Sequence, residues 1–493
     1  MAARDVRERA EAKSLAYEFF PSFLRSRERA VGLDAWMKGR QYQYSDTAGL
    51  DPDDEMYGRA YAPDRETQNT EYENLRGLAP NNFAGLIVTS LAQTCHMEGI
   101  SRGDSNDTLD IWETFQRNQW ASRQSALYRS AIGHGVAYGV VLPGEDPISG
   151  GALARMRGKS AKRMAAFYDD EDDEWAEFAI EATKKYKSRS IEKIEEGWDV
   201  RIWNSKGIHL LECKGDGTER LDWKYVGKIE HFMPVTPVAR LANRLDLDGH
   251  TMGEIEPVLP ILRRLDQGLF DRLINQRFGA WQIRYIAGMA KPKPGVDAEE
   301  IKMKLRVDDL LVSTDPTTKF GVLPGGPIDG QIAVTDADLR LLSAVTQTPP
   351  HHLLGMSANL QAESLAAASE GLKRKSFEFR NNAGDFNTQM ARLAGLAQKD
   401  RDLASAWDLH ARWKNTDTVS LSQAADALAK FAADVHVPLE MVWEMMPDWS
   451  DVDVERAKRL VEDGTIETLL AQLMENDQEA TGGNPDQRAG AAE

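Results

Sequence analysis

The chain has 493 residues, 42% of them hydrophobic, and a formal net charge of −18. That length suits about three domains and can bury a sizeable core, while the acidity argues against a general nucleic-acid binder, whose surface would be basic. Cys95 and Cys213 are the only cysteines, too few for a disulfide framework or a cysteine-rich zinc site, and both are expected as small core residues in a reducing compartment.

The charged run Arg4 to Lys13 opens the chain with no apolar h-region after it, so no signal peptide is expected. No apolar run approaches about 18 residues, so no membrane span is expected either. Residues 3–40 read as a helix broken at Pro21, and 41–80 as an irregular polar arm. An apolar period through Phe83, Ile87 and Leu91 predicts a helix from Asn81 to Met97. Residues 108–132 predict another, carrying Leu109, Trp112, Phe115, Trp120 and Leu127. It ends at Gly133-His134-Gly135, and Val136 to Leu142 reads as a strand.

Residues 143–161 read as a Gly-rich loop, with Arg155, Arg157, Lys159, Lys162 and Arg163 in or near it. Strand signals at Met164–Tyr168 and Trp175–Ala182 flank the acidic run 169–174. Trp198–Trp203 and Ile208–Cys213 alternate across Asn204-Ser205-Lys206-Gly207, a hairpin signal. Residues 136–240 therefore read as a mostly β unit.

A helix opens near Glu256-Pro257, with proline at a favoured first-turn position. Val258, Leu262, Leu265, Leu269 and Leu273 form one apolar stripe, and Phe270, Ile274, Phe278 and Trp281 a second beside it. So wide an apolar arc needs partners on more than one side. Residues 282–330 read as a compact insertion: strand Ile283–Ala287, short helix Asp297–Leu305, strand Leu310–Ser313, and a closing Gly325-Gly326-Pro327. A helix at about Ile332–Thr346 leads to Thr348-Pro349-Pro350, which interrupts the helical path.

Beyond the prolines, Leu365, Leu372, Phe379, Phe386 and Leu393 recur every seven residues. Ser369, Ser376, Ala383, Met390 and Ala397 follow each by four, which is one seam of a long helix. Spanning roughly 360 to 398, it would be on the order of 55 Å long. The seam suggests packing against copies of the same chain. Helices are expected from 400 to about Met474, and the tail from Glu475 has a disordered composition.

No enzyme signature stands out. His351-His352 is the one adjacent histidine pair, but neighbours on a helix do not share a face and no carboxylate lies at ligand spacing, so no metal site is expected there and a loop position is. The 169–174 run lacks the central glycine and terminal glutamate of an EF-hand loop and reads as a solvated hairpin tip. The basic 155–163 cluster fits a phosphate contact or an exposed flexible loop equally well. Neither a P-loop nor a G-x-S-x-G elbow occurs. A metal-dependent nuclease would need clustered ligands, and a scaffolding or adaptor protein would be mostly helical and low in tryptophan. This chain has 12 tryptophans.

Six segments in order resemble the portal proteins of long-tailed phages that infect actinobacteria. They are Leu33 to Gly39, Asn82 to Val88 with Glu98-Gly99-Ile100, Trp120 to Tyr138, Met252 to Val258, Thr348 to Gly355 with Ala362 to Leu365, and His436 to Pro447. The Thr348-Pro349-Pro350-His351-His352-Leu353-Leu354-Gly355 stretch is the most specific. Trp36 departs from the usual tyrosine of the first segment, and the 169–174 run matches no family pattern.

The resemblance implies an α+β portal fold with a wing, a helical stem, an α/β clip and a helical crown, assembled as a ring, usually of twelve copies. On that reading 1–250 is the wing, 254–281 and 331–346 are stem helices, and 282–330 is the clip. Residues 347–360 are the tunnel loop, 361–398 the long wing helix, 399–474 the crown, and 475–493 a disordered tail. Leu262, Leu265, Leu269 and Leu273 would pack the stem, and Leu365, Leu372, Phe379, Phe386 and Leu393 the long helix. His351, His352, Ser357, Asn359 and Gln361 would face DNA. Lys291, Lys293, Lys302, Lys304 and Arg306 would form the clip's partner surface. The implied partners are the terminase motor, a head–tail adaptor, the major capsid protein and scaffold, and double-stranded DNA passing without sequence specificity. No cofactor or metal is implied, and the place of action is the virion's portal vertex after assembly in host cytoplasm. Twelve copies would surround the channel with about −216 formal charge, which disfavours phosphate adsorption and lets DNA slide.

Overall fold

A computed structural model describes residues 2–41, 75–103, 109–146, 148, 150–170, 174–185, 197–215, 219–280, 284–287, 319–322, 328–355, 362–414, 426, 428–432, 437–444, 446, 449 and 451–462. In chain order the elements are α1 (Ala2–Met37), α2 (Phe83–Gln93), β1 (Met97–Arg102), α3 (Leu109–Arg117), α4 (Trp120–His134), β2 (Val136–Leu142) and β3 (Arg155–Ser160). Then come β4 (Met164–Phe167), β5 (Phe178–Lys185), β6 (Gly197–Asn204), β7 (Gly207–Lys214), β8 (Trp223–Ile229) and β9 (Val238–Ala242). After them follow α5 (Leu259–Ala280), β10 (Arg284–Ala287), β11 (Lys319–Val322), α6 (Ile328–Thr346), α7 (Pro350–Leu354) and α8 (Ala362–Gln398). The last are α9 (Arg401–Ala404), β12 (Leu409–Trp413), α10 (Leu439–Glu444) and α11 (Asp451–Glu462). They fall into two units, one of residues 1–30, 88–254 and 360–493, the other of 31–87 and 255–359.

The first unit is layered. A five-stranded antiparallel sheet, in the order β4-β5-β6-β7-β8, separates two cores. Strand alternation assigns the faces: Phe178, Ile180 and Ala182 of β5 and Trp198, Val200 and Ile202 of β6 join Ala16, Phe20 and Phe23 of α1. The intervening Ala179 and Trp203 join Tyr138, Val140 and Val238 of the three-stranded sheet β3-β2-β9. That second sheet is covered on its other face by helices. A Cβ at Gly158 would meet Leu127 of α4, and one at Gly139 would lie 2.7 Å from Phe386 Cζ of α8 and press on Met390. Glycine at 139 is therefore what lets a long helix lie flat on the middle strand.

Buried polar side chains fix the helices to this frame. Asn387 of α8 donates to Tyr128 Oη at 3.0 Å and accepts from Trp120 Nε1 at 3.2 Å. Gln124 of α4 is fully buried; its Oε1 accepts from Met97 N at 2.9 Å and its Nε2 donates to Met97 O at 3.0 Å, so it acts as a strand neighbour for β1. On its other edge β1 pairs with β12, some 300 residues away in the chain.

Several sequence expectations change here. The α1 helix runs through Pro21, whose ring faces solvent while Ala16, Phe20 and Phe23 are completely buried. Packing on that side outweighs one lost helix hydrogen bond. The 108–132 helix is two helices, broken where Gln119 takes φ 55°. The 81–97 helix stops at Gln93, and its expected end instead starts β1. The 143–161 stretch is not all loop, since Arg155, Arg157 and Lys159 lie on β3. The segment after 400 includes β12 as well as helices. Strand Val136–Leu142 and the hairpin at Asn204–Gly207 stand where the sequence put them.

The largest change concerns the seven-residue seam. Leu372, Phe379, Phe386 and Leu393 are at most 6% exposed, and so are Ser376, Ala383 and Met390. They are buried inside this one chain: Phe386 stacks on Trp120 with ring centres 6.5 Å apart, and Phe379 meets Tyr128 edge-on at 5.7 Å. The seam therefore serves the core of the first unit rather than packing against copies of the chain. The side chain of Leu365 lies outside the described residues.

The second unit is built on α5 and α6. A short 3-10 turn, Glu256–Val258, precedes α5, and α6 starts at Ile328, four residues before its expected start. Leu262 and Leu265 are buried, as are Leu339 and Leu342, while Leu269 and Leu273 are half-buried. Arg284↔Val322 begins an antiparallel pairing of β10 with β11, a strand the sequence reading missed. The expected helix 297–305 and strand 310–313 lie outside the described residues.

Candidate functional site

The segment from α6 to α7 carries the proline motif, and side chains lock its path. Ser343 Oγ donates to Thr348 O at 2.7 Å, and Thr346 Oγ1 lies 3.0 Å from Thr348 Oγ1. Gln347, exposed, takes φ 55°, a left-handed turn that ends α6 before the prolines. Thr348 and Pro349 are buried. The prolines interrupt the helical path, as expected, but Pro350 also begins a new turn of helix, because its fixed φ suits a first helical position. His351 and His352 therefore sit on α7 and not in a loop, with ring centres 4.5 Å apart at 77°. Gly355, at φ 65°, closes that turn by donating its N–H to His351 O at 3.1 Å. Desolvation, and next the neighbouring His351, pull the His352 imidazole below its usual pKa. Ser357, Asn359 and Gln361 lie outside the described residues.

The α5–α6 pair is held at its polar edge by Arg264, which donates to both Asp338 oxygens at 2.6 and 3.0 Å. On the buried side Asp266, 2% exposed, accepts from Gln41 Nε2 at 2.8 Å, from Asn81 N at 3.1 Å, and from Asn81 Nδ2. Three donors from distant segments thus converge on one carboxylate of α5. The outer face of α6 is different: Val334, Leu341 and Val345 recur at helical spacing and are 61, 43 and 51% exposed. Sequence reasoning placed the stem stripe on α5 and missed this face. Its signal was there, because α6 is apolar on more of its circumference than one partner helix can cover. The clip residues Lys291, Lys293, Lys302, Lys304 and Arg306 lie outside the described residues.

In the first unit, a second polar cluster surrounds the residue just before α5. Glu254 forms a buried ion pair with Lys375 of α8, and it also accepts from Asn243 Nδ2 at 3.0 Å and pairs with Arg244 at 3.2 Å. Its backbone N–H donates to Ile132 O at 2.8 Å. Burial lowers the Lys375 pKa, and the Glu254 carboxylate opposes that shift. Among the described residues, the group that could hold a cation is Asp246, Asp248 and His250, all exposed. Asp246 Oδ1 is already used by the backbone N–H groups of Asp248 and His250 at 3.1 and 2.7 Å, which makes this a side-chain-stabilised turn. No described helix is long and apolar enough to cross a membrane.

Residues 41–475 match the family described as "Phage portal protein, SPP1 Gp6-like". The chain belongs to that phage portal protein family, and its mixed helix-and-sheet build is the α+β fold the sequence resemblance implied. No curated protein sequence matches it. A chain of the solved structure titled "Virion of native gene transfer agent (GTA) particle" is similar at 13% identity and a TM-score of 0.40, covering 75% of this chain and 91% of that one. The family assignment rests on the sequence match.

Proposed function

We propose that this protein is the ring-forming portal subunit of a tailed phage, lining the channel through which DNA enters the capsid and later leaves it. The observation that carries the reading is the family match over residues 41–475. Residues 1–250 then serve as the wing, α5 and α6 as the stem, 282–330 as the clip, 347–360 as the tunnel segment, 361–398 as the long helix behind it, and 399–474 as the crown. The clip would dock the terminase motor and afterwards the head–tail adaptor, and the ring would sit at one vertex among the major capsid protein and scaffold. The exposed apolar face of α6 supports a ring, since Val334, Leu341 and Val345 have no covering partner among the described residues. With no phosphate loop in the sequence, a separate motor must supply the work.

The charge supports the same reading. At −18 per copy, a channel of repeated subunits repels phosphate along its length and keeps DNA mobile. His351 and His352, with the polar Ser357, Asn359 and Gln361 after them, suit transient contacts better than a ring of lysines would. Electron microscopy of the purified full chain tests this: closed rings with a central hole are expected, and particles with no hole would reject the proposal. Deleting residues 290–307 should spoil ring closure or motor docking while the wing stays folded; normal rings that still package DNA would reject the clip assignment.

A further inference from the structure

Two complementary surfaces lie on opposite edges of the three-stranded sheet in the first unit. Beside β9 is a groove of about 360 Å³, lined by Tyr168, Glu174, Arg240, Leu245, Asp385 and Gln389. Two of its charges are already engaged. Glu174 pairs with Arg392, and the Arg240 guanidinium lies 4.2 Å over the Tyr168 ring. Asp385 is not. It stands accessible at the groove, and no cation among the described residues reaches its carboxylate. Partial desolvation with no counter-ion pushes that carboxyl above its ordinary pKa. Beside the groove, the turn after β9 adds exposed Asp246 and Asp248, with Leu247 between them 99% exposed.

The other edge is β3, since the strand order is β3-β2-β9. Arg155 and Arg157 lie opposite Leu142 and Val140 and alternate onto one face. Both are exposed, and neither has an acidic partner among the described residues. Lys159, next on that face, is already paired with Glu181. In the β2–β3 connection Ile148 is 95% exposed. Among the described residues, one edge thus offers guanidinium groups without an acidic partner beside an exposed isoleucine, and the other a carboxylate without a cation beside an exposed leucine. Facing away from each other on one sheet, they cannot meet within a chain. Head-to-tail contact between copies is the arrangement that brings two different patches of one chain together and repeats.

We propose that the β9 groove of one copy takes Arg157 or Arg155 of a second copy against Asp385, as a repeated head-to-tail contact. The proposal rests on the ring reading above and adds the contact and its polarity. Assembly of the purified full chain is followed by sedimentation across protein concentration at two salt levels. Arg157→Asp and Asp385→Lys should each raise the concentration for half-assembly roughly two- to fivefold, with a weaker salt dependence, and the double swap should recover most of the loss. Asp385→Asn, which keeps the shape, should move assembly in the same direction and decides the matter if Asp385→Lys misfolds. A wild-type chain that never assembles would overturn the ring reading itself. If the wild type assembles and the single variants match it, or fail without rescue by the swap, the pairing is wrong and the ring stands. Arginine variants that lose only DNA retention would assign that edge to phosphate instead and likewise overturn the pairing.

Discussion

Replacing Phe386 with alanine tests whether the seven-residue seam belongs to the chain's own core. The ring is 2% exposed, stacks on Trp120, and faces Gly139 so closely that a Cβ there would lie 2.7 Å from its Cζ. Removing it takes away the transfer energy of the ring and leaves a cavity, together about 3–5 kcal/mol. The upper half of that range applies, because the middle strand of the sheet and the Trp120 indole leave little room for collapse. Chemical denaturation of the full chain, at a concentration below assembly, should show this loss in the first unit's transition. The melting temperature should fall by roughly 5–10 °C. An unchanged transition, with only assembly impaired, would refute the reasoning and return the seam to an interface between copies.

Three further outcomes follow from buried or strained groups. Phe232 is 87% exposed at φ 55°, held out between buried His231 and Met233, so Phe232→Gly should raise stability by up to about 1 kcal/mol; a loss of that size would show that the ring makes a needed contact. His231 Nε2 lies 2.7 Å from Asn204 O, and its Nδ1 accepts from Met233 N at 3.1 Å, so the ring is the neutral Nε2–H form. Desolvation depresses its pKa, the Asn204 carbonyl opposes this, and His209 is depressed as well. The unfolded chain therefore takes up more protons, and stability present above about pH 6.5 should fall as the pH drops below it. A His231→Gln variant should lose part of that slope, and an identical slope would assign it elsewhere. Lys375→Ala leaves Glu254 buried without its closest cation and should cost about 3 kcal/mol, the lower end for a broken buried pair because Arg244 remains; a change below 1 kcal/mol would mean the pair relaxes into water.

What the sequence made legible was set by local rules. The strand at Val136–Leu142, the Asn204–Gly207 hairpin and the α8 helix all follow from periodicity and turn chemistry carried within a few residues. The misses were tertiary. Pro21 breaks an isolated helix, but not one with Phe20 and Phe23 buried beside it. The β1–β12 pair joins Met97–Arg102 to Leu409–Trp413, and no local signal announces a partner that far away. Pattern alone identified the α8 seam and could not say what covers it: a large residue every seven reads the same against another copy as against Trp120 and Tyr128. At the candidate site, the proline break was legible, but the turn of helix carrying His351 and His352 was not, because proline both stops one helix and starts the next. The converging donors on Asp266 come from Gln41 and Asn81, two polar residues with nothing in the sequence to link them.

The mass of the purified full chain in solution tests the ring reading most directly. Each chain weighs 55.0 kDa. Native mass measurement at micromolar concentration should give a large closed multiple of that mass, with twelve copies at about 660 kDa as the family resemblance implies. A single species at the mass of one chain, unchanged as the concentration rises, would contradict the account.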